Sequence, residues 1–145
     1  PMAGHLKSAG HDILVPERAS LSAESRAAFT VVADAKAVAQ RAEVVILMVP
    51  DTPDVETALF GSGGVAEGLS AGTLVIDMSS ISPTATKEFA KKVNALGCDY
   101  LDAPVSGGEV GAKNAALTIM VGGPQAAFDR ALPVFEKMGK NITLV

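Results

Sequence analysis

The chain is poor in the side chains that most often announce a specialised surface: among its 145 residues there is no tryptophan, one tyrosine and five phenylalanines. Apolar bulk carried by Ala, Val, Leu and Ile suits helices packed on a sheet, and it leaves no aromatic platform on which bases could stack. Positive charge is also thin. Twelve Lys and Arg against 16 Asp and Glu give a net charge of -4. The basic residues are scattered, so no stripe exists to neutralise a phosphate backbone, and nucleic acid is not an expected partner. No apolar run approaches the roughly 20 residues needed to cross a bilayer, and no charged-then-apolar leader precedes Pro1, so no membrane association is expected. The single cysteine, Cys98, excludes an internal disulfide. It reads as a small buried hydrophobe and fits a reducing compartment, with the cytoplasm as the expected location. The two histidines, His5 and His11, fall at a helix surface and at the start of a strand, with no third ligand at metal spacing. No metal site is expected.

What is present is a chain of single-domain length with 48% hydrophobic residues, enough to bury a core. Strand-like apolar clusters alternate with helix-like segments, which predicts an α/β domain with a doubly wound parallel sheet covered on both faces. Gly10 is placed as the C-terminal cap of an opening helix, and Asp12–Val15 reads as a short strand. Ser22–Phe29 reads as a helix, Thr30–Ala33 as a strand, and Asp34 as the cap of a helix reaching about Arg41. Val44–Val49 and Thr73–Met78 are apolar runs of the kind buried on both faces of a sheet. Thr52 before Pro53 and Ser82 before Pro83 mark the starts of the helices that follow, and Asp54 lies in a first turn where its charge complements the helix dipole. Further strands are expected at Asp99–Leu101 and Leu117–Val121. A last helix from Pro124 to Met138 should be kinked or split by Pro133.

Two glycine-bearing segments compete for attention as ligand sites. Gly61-Ser62-Gly63-Gly64-Val65-Ala66 satisfies the spacing of a dinucleotide fingerprint, but such a loop needs a strand before it and a helix after it, so that a pyrophosphate can rest on the helix N-terminus. Here a helix precedes it, and the segment reads as a surface loop. Asp102-Ala103-Pro104-Val105-Ser106-Gly107-Gly108 ends a strand-like approach in a kink, one hydroxyl and two residues without side chains. Gly107 and Gly108 let backbone N–H groups approach an anion, and Ser106 adds a donor able to orient a carboxylate. Ordinary turns carry the same residues, so the seven residues alone leave both readings standing. Asp102, still on the strand, is expected to cap N–H groups of the loop. In an open α/β sheet, ligands lie outside the carboxyl ends of the strands, here Val15–Arg18, Met48–Asp54 and Met78–Ser82. Glu17 and Arg18 stand side by side where an acid would accept a ribose 2′-hydroxyl and an arginine would accommodate a 2′-phosphate. Glu17 would repel that phosphate, which leans toward NAD, with NADP admitted if Arg18 swings in.

Taken with Val75–Pro83 and Met120–Gly123, the Asp102–Gly108 run resembles the β-hydroxyacid dehydrogenase family, and the resemblance extends over the whole chain. In that family the first strand and a Gly-x-Gly-x-x-Gly loop precede a helix similar to Pro1–Gly10, and a catalytic lysine lies beyond a segment similar to Asn141–Val145. The resemblance therefore implies that residues 1–145 are an incomplete, Rossmann-like NAD(P)-binding domain lacking the first strand and glycine loop. The helical C-terminal domain and the lysine would lie outside it, and Lys113, the lysine nearest the loop, does not match that position. Such a piece is not expected to turn over alone, and a sheet without a central strand should be prone to associate. The resemblance further implies that Ser106, Gly107 and Gly108 hold a substrate carboxylate. Val49, Pro50, Asp54 and Ser80, with Met48 beside them, would line the dinucleotide, and the parent protein would be a homo-oligomer. The implied reaction is hydride transfer between a nicotinamide cofactor and a small 3-hydroxy acid or semialdehyde. Met48–Pro53 and Gly139–Val145 are similar to the subgroup that acts on tartronate semialdehyde. A non-catalytic dinucleotide sensor or an interaction module is the alternative, because fold does not fix function.

Overall fold

A computed structural model describes residues 2–17, 21–49 and 51–145. The chain opens with α1 (Met2–Ser8), β1 (Leu14–Pro16), α2 (Ala23–Ala28), β2 (Thr30–Val32) and α3 (Ala35–Arg41). It continues through β3 (Val44–Leu47), α4 (Thr52–Phe60), α5 (Val65–Gly68), β4 (Leu74–Asp77), α6 (Pro83–Ala95) and β5 (Asp99–Asp102). It closes with β6 (Val105–Ser106), α7 (Gly108–Lys113), β7 (Leu117–Val121), α8 (Gln125–Phe135) and β8 (Gly139–Leu144). No helix among the described residues is long and apolar enough to cross a membrane.

The central strands β3, β4 and β5 pair in parallel in that order, with Val45 beside Val75 and Val75 beside Tyr100. Every residue of β4 is buried, as a central strand covered on both faces requires. The strand period of two then divides its side chains between two cores. Leu74, Ile76 and Met78 pack with Leu6 of α1, with β7 and with Ala127, Ala131 and Phe135 of α8. Val75, with Val45 and Leu47, packs against Ala39, Val55, Leu59, Val65, Phe89 and Val93 of the helices α3 to α6. Helices on both faces make the sheet doubly wound, as the alternation of elements implied.

At one side, β1 and β2 pair in parallel as a separate two-stranded sheet that is not hydrogen-bonded to β3. At the other side, β7 and β8 are parallel, whereas β6 runs antiparallel to β7. Asp102 and Gly122 bridge the two groups of strands in the antiparallel sense, with Asp102 N–H donating to Gly122 O at 3.0 Å and Gly122 N–H to Asp102 O at 2.6 Å. The sheet is thus parallel in its centre with one antiparallel segment, and that segment carries the Ser106 loop.

Four local readings change. The cap of α4 is Asp51, not Thr52: the Asp51 carboxylate accepts from Thr52 N–H at 2.7 Å while Asp54 accepts from Asp51 N–H at 3.1 Å, forming a reciprocal capping box. Gly61–Ala66 is not a surface loop throughout, because Gly64, Val65 and Gly68 are buried and α5 packs on α3. Helix α8 passes through Pro133 unbroken and ends at Phe135, three residues before Met138. Finally α5, β6, α7 and β8 have too little periodicity to announce themselves, the first three being only four, two and six residues long.

A carboxylate lies in the middle of this apolar layer. Asp77, fully buried at the carboxyl end of β4, accepts a hydrogen bond from Tyr100 Oη at 3.0 Å through Oδ2 and one from Ser79 N–H at 2.9 Å through Oδ1. Burial and the Asp77 charge push the Tyr100 phenol up, keeping it a donor. One strand over, burial and the same Asp77 charge push Asp102 from its ordinary 3.8 up to about 6.

Two stability predictions follow from this packing. A Cβ on Gly68 would lie 2.2 Å from the Lys36 carbonyl oxygen, a backbone group that cannot move aside, so Gly68→Ala should cost about 2 kcal/mol or more by urea denaturation. For Asp102, a folded pKa above the unfolded one means that the folded chain binds more protons between the two values. Its contribution to stability therefore falls as pH rises through about 4 to 6. Asp102→Asn should gain stability relative to the original chain on going from about pH 4.5 to about pH 7; a pH-independent difference in urea midpoint would contradict this.

Candidate functional site

The residues expected to line a dinucleotide fall into two groups. Met48, Val49, Asp54 and Ser80 belong together. Val49 N–H, just past β3, donates to Ser79 Oγ at 2.9 Å, and Ser79 is held in turn by Asp77. A second tie runs from Ser82 N–H to Thr52 Oγ1 at 3.2 Å. The segments that leave β3 and β4 are therefore fastened to each other and to the start of α4. Ser79 is buried and its neighbour Ser80 is exposed, so one hydroxyl holds the frame while the next faces outward. Met48, just past β3, is 51% exposed and presents a large apolar surface. The Asp54 carboxylate is exposed although one oxygen is engaged in the capping box. An exposed thioether after β3, a hydroxyl after β4 and a carboxylate in the first turn of α4 offer the mixed apolar and polar lining that ligand sites use. Pro50 and Arg18 lie outside the described residues.

Glu17 stands apart at the end of β1, in the two-stranded sheet, with its N–H donating to Val32 O at 2.8 Å. Its two carboxylate oxygens receive Arg26 Nη1 at 2.8 Å and Nη2 at 2.6 Å. This bidentate pairing gives Glu17 a second basic neighbour beside the adjacent Arg18 of the sequence. The Arg26 guanidinium on Glu17 offsets the repulsion that spoke against a 2′-phosphate.

The Ser106 loop is positioned by the strand ends. Ala103 N–H donates to Asp77 O at 2.7 Å and Met120 N–H to Pro104 O at 3.1 Å, which bends the chain from β5 into β6 between two fixed points. Ser106 lies opposite Thr118 in β7, is exposed, and makes no side-chain hydrogen bond to a described residue. Gly107 and Gly108 follow with φ of +129° and +59°, conformations that side chains oppose. At Gly107 a Cβ would also come within 3.3 Å of Leu117 Cδ2. The loop is thus an outward hydroxyl followed by two exposed glycines, a form suited to a carboxylate. Asp102 does not cap it: its pairing with Gly122 is through backbone, and no described N–H of the loop donates to its carboxylate. Lys113 forms an exposed ion pair with Glu109 at 3.0 Å, one turn away on α7.

Several functional positions escape a reading by residue type. Asp77, Ser79 and Tyr100 form the frame beneath the site, and the available signal was an acid closing the apolar run Leu74-Val75-Ile76. A buried carboxylate there must find donors. His5, far from the loop in sequence, places Nε2 2.7 Å from the carbonyl oxygen of Ala112 in α7. The fingerprint-like Gly61–Ala66 is occupied by the protein itself, since Gly63 N–H donates to Glu67 Oε2 at 2.6 Å and Gly63 O accepts from Lys36 N–H at 2.9 Å. Among the described residues no cluster of three or more His, Cys, Asp or Glu is placed to hold a metal ion.

Known proteins match this arrangement along its full length. The 2-hydroxy-3-oxopropionate reductase of Escherichia coli is 50% identical over 146 residues, covering 100% of this chain and 50% of the reductase. The mitochondrial 3-hydroxyisobutyrate dehydrogenase of Drosophila melanogaster is 39% identical, covering 98% of this chain and 44% of its own. Among solved structures, the Mycobacterium tuberculosis 3-hydroxyisobutyrate dehydrogenase with L-serine superposes with a TM-score of 0.90 at 36% identity, covering 99% of this chain and 49% of that one. The chain thus spans about half the length of these relatives. The family model described as the NAD binding domain of 6-phosphogluconate dehydrogenase matches residues 1–145, and with a strand-edge site of this form the chain belongs to that family of NAD-binding domains.

Proposed function

We propose that this chain is the cofactor-binding part of a hydroxyacid dehydrogenase that interconverts tartronate semialdehyde and glycerate, using NAD or NADP. The observation that carries the reading is the placement of the Ser106–Gly107–Gly108 loop directly after β5, tied through Ala103 to the same Asp77 that fixes the β3 and β4 ends. Cofactor edge and anion loop share one frame. The 50% identity to 2-hydroxy-3-oxopropionate reductase supports tartronate semialdehyde over 3-hydroxyisobutyrate, whose Drosophila enzyme is 39% identical.

In this reading the domain is completed within a longer protein by a strand and glycine loop ahead of α1 and a helical domain after β8. The edges of β1 and β3, unpaired with each other, are where the additional strand would enter. A bound nicotinamide supplies or accepts the hydride. Met48, Val49, Asp54 and Ser80 orient its ribose and ring, with the Val49 amide already committed to Ser79, so that Val49 offers its side chain and carbonyl. Ser106 donates to the substrate carboxylate, and the N–H groups of Gly107 and Gly108 approach the same anion, which aims the carbonyl at the cofactor. The proton on the developing alkoxide is exchanged by a lysine of the helical domain.

The test is reduction of tartronate semialdehyde with NADH and NADPH by the full-length protein, with Ser106→Ala alongside. Loss of a hydrogen bond to a charged carboxylate should lower kcat/KM about tenfold or more, with cofactor affinity little changed. Unaltered turnover by Ser106→Ala would remove the loop from the mechanism. A protein that binds the cofactor yet reduces no small semialdehyde would favour a dinucleotide sensor.

A further inference from the structure

We infer that His5 is a positioning residue for the anion loop, holding it against helix α1; this rests on the function proposed above. The reasoning starts from how little else secures α7, the helix that Gly107 and Gly108 lead into. It has six residues, of which only Gly111 is buried, and Val110 is 70% exposed. Its entrance consists of two glycines at positive φ, which impose no direction of their own. Its exit passes through Ala115 at φ +52°, a left-handed conformation that costs a non-glycine residue about 1 kcal/mol or more. Apolar contact comes from Leu117, whose Cδ2 lies close to both Gly107 and Gly111, and from the half-buried Ala112 against the core. The ion pair of Glu109 with Lys113 is internal to the helix and exposed, so it anchors nothing outside.

Against this background the contact from His5 Nε2 to Ala112 O at 2.7 Å links α7 to a segment 107 residues away in sequence. A carbonyl only accepts, so Nε2 carries the proton and donates. The support is firm on the His5 side, because the adjacent Leu6 is buried in the core that contains Ile76 and Met78 of β4. The carbonyl it reaches lies in the last turn of α7, where its other donors are the local Asn114 and Ala115 amides, the latter at 3.4 Å, so His5 is the donor that comes from outside the turn. One imidazole therefore fixes the end of a short helix whose beginning is the carboxylate-binding loop. A shift of α7 would move Gly107 and Gly108 with it.

The experiment compares His5→Phe, which keeps a flat ring and deletes the donor, with His5→Gln, which keeps a donor. Each is made in the full-length protein and assayed with tartronate semialdehyde and NADH, with NADH affinity measured separately by fluorescence titration. The expected result is a rise in KM of about three- to tenfold for His5→Phe, the range for one lost hydrogen bond, with NADH affinity unchanged and a KM nearer the original in His5→Gln. Equal KM values in the original and in both variants would overturn the role. So would a parallel loss of NADH affinity and substrate KM, which would mark general loosening of α1. If the unaltered protein neither binds NADH nor reduces the semialdehyde, the proposed function fails and this role fails with it; an active protein indifferent to His5→Phe defeats this role alone.

Discussion

The rest of the site depends on a buried carboxylate that cannot be left alone. Asp77 closes the most buried strand of the sheet with no exposed surface, and an unpaired carboxylate in that position would cost several kcal/mol. Its donors are therefore not optional. Tyr100 on β5 and the Ser79 amide beyond β4 satisfy the two oxygens, the Ser79 hydroxyl then takes the Val49 amide beyond β3, and the Asp77 carbonyl takes Ala103 at the start of the anion loop. Three parallel strands that pair by backbone along their length are in this way also locked at their carboxyl ends, where ligands of such sheets lie. A local requirement for hydrogen-bond satisfaction becomes rigidity where chemistry needs it.

The same frame explains a charge relation that composition conceals. Asp102, one strand away, is raised to about 6 by burial and by the Asp77 charge, so the folded chain bears an electrostatic cost near neutral pH at the root of the Ser106 loop. Functional strand ends commonly hold such groups. Here Asp102 contributes through its backbone bridge to Gly122, which turns the β5 segment into the antiparallel arm carrying Ser106. Glycine serves different purposes across the molecule. Gly68 and Gly139 permit close backbone approach, to Lys36 O and Leu117 O respectively, whereas Gly107 and Gly108 supply left-handed backbone conformations at the exposed entrance of α7.

Much of the fold was legible because its strong elements obey simple periods. The apolar runs that contain β3 and β4 and the Ser82–Pro83 start of α6 follow from burial and capping rules applied locally. The rejection of Gly61–Ala66 as a phosphate loop was equally local, since it needed only the preceding helix. What escaped was set by contacts distant in sequence. The Asp77 frame requires knowing that residues 49, 77, 79 and 100 converge, the pairing of Glu17 with Arg26 depends on how α2 lies against β1, and nothing near His5 announces Ala112. Short α5 and α7 have too few residues to show a helical period, and β6 is two residues long. The candidate site was therefore readable as a set of strand ends and a glycine loop, and unreadable as a connected object.

Membership of the NAD-binding domain family and the common frame beneath cofactor edge and anion loop together support an account in which β4's carboxyl end organises binding. The most direct test maps amide chemical-shift changes on titrating NADH into isotope-labelled full-length protein. The account predicts that the largest changes fall at Met48, Val49, Asp54 and Ser80, with Ser106 to Gly108 responding only when a carboxylate substrate analogue is added. Changes concentrated at Gly61 to Gly64, with the strand ends undisturbed, would contradict it.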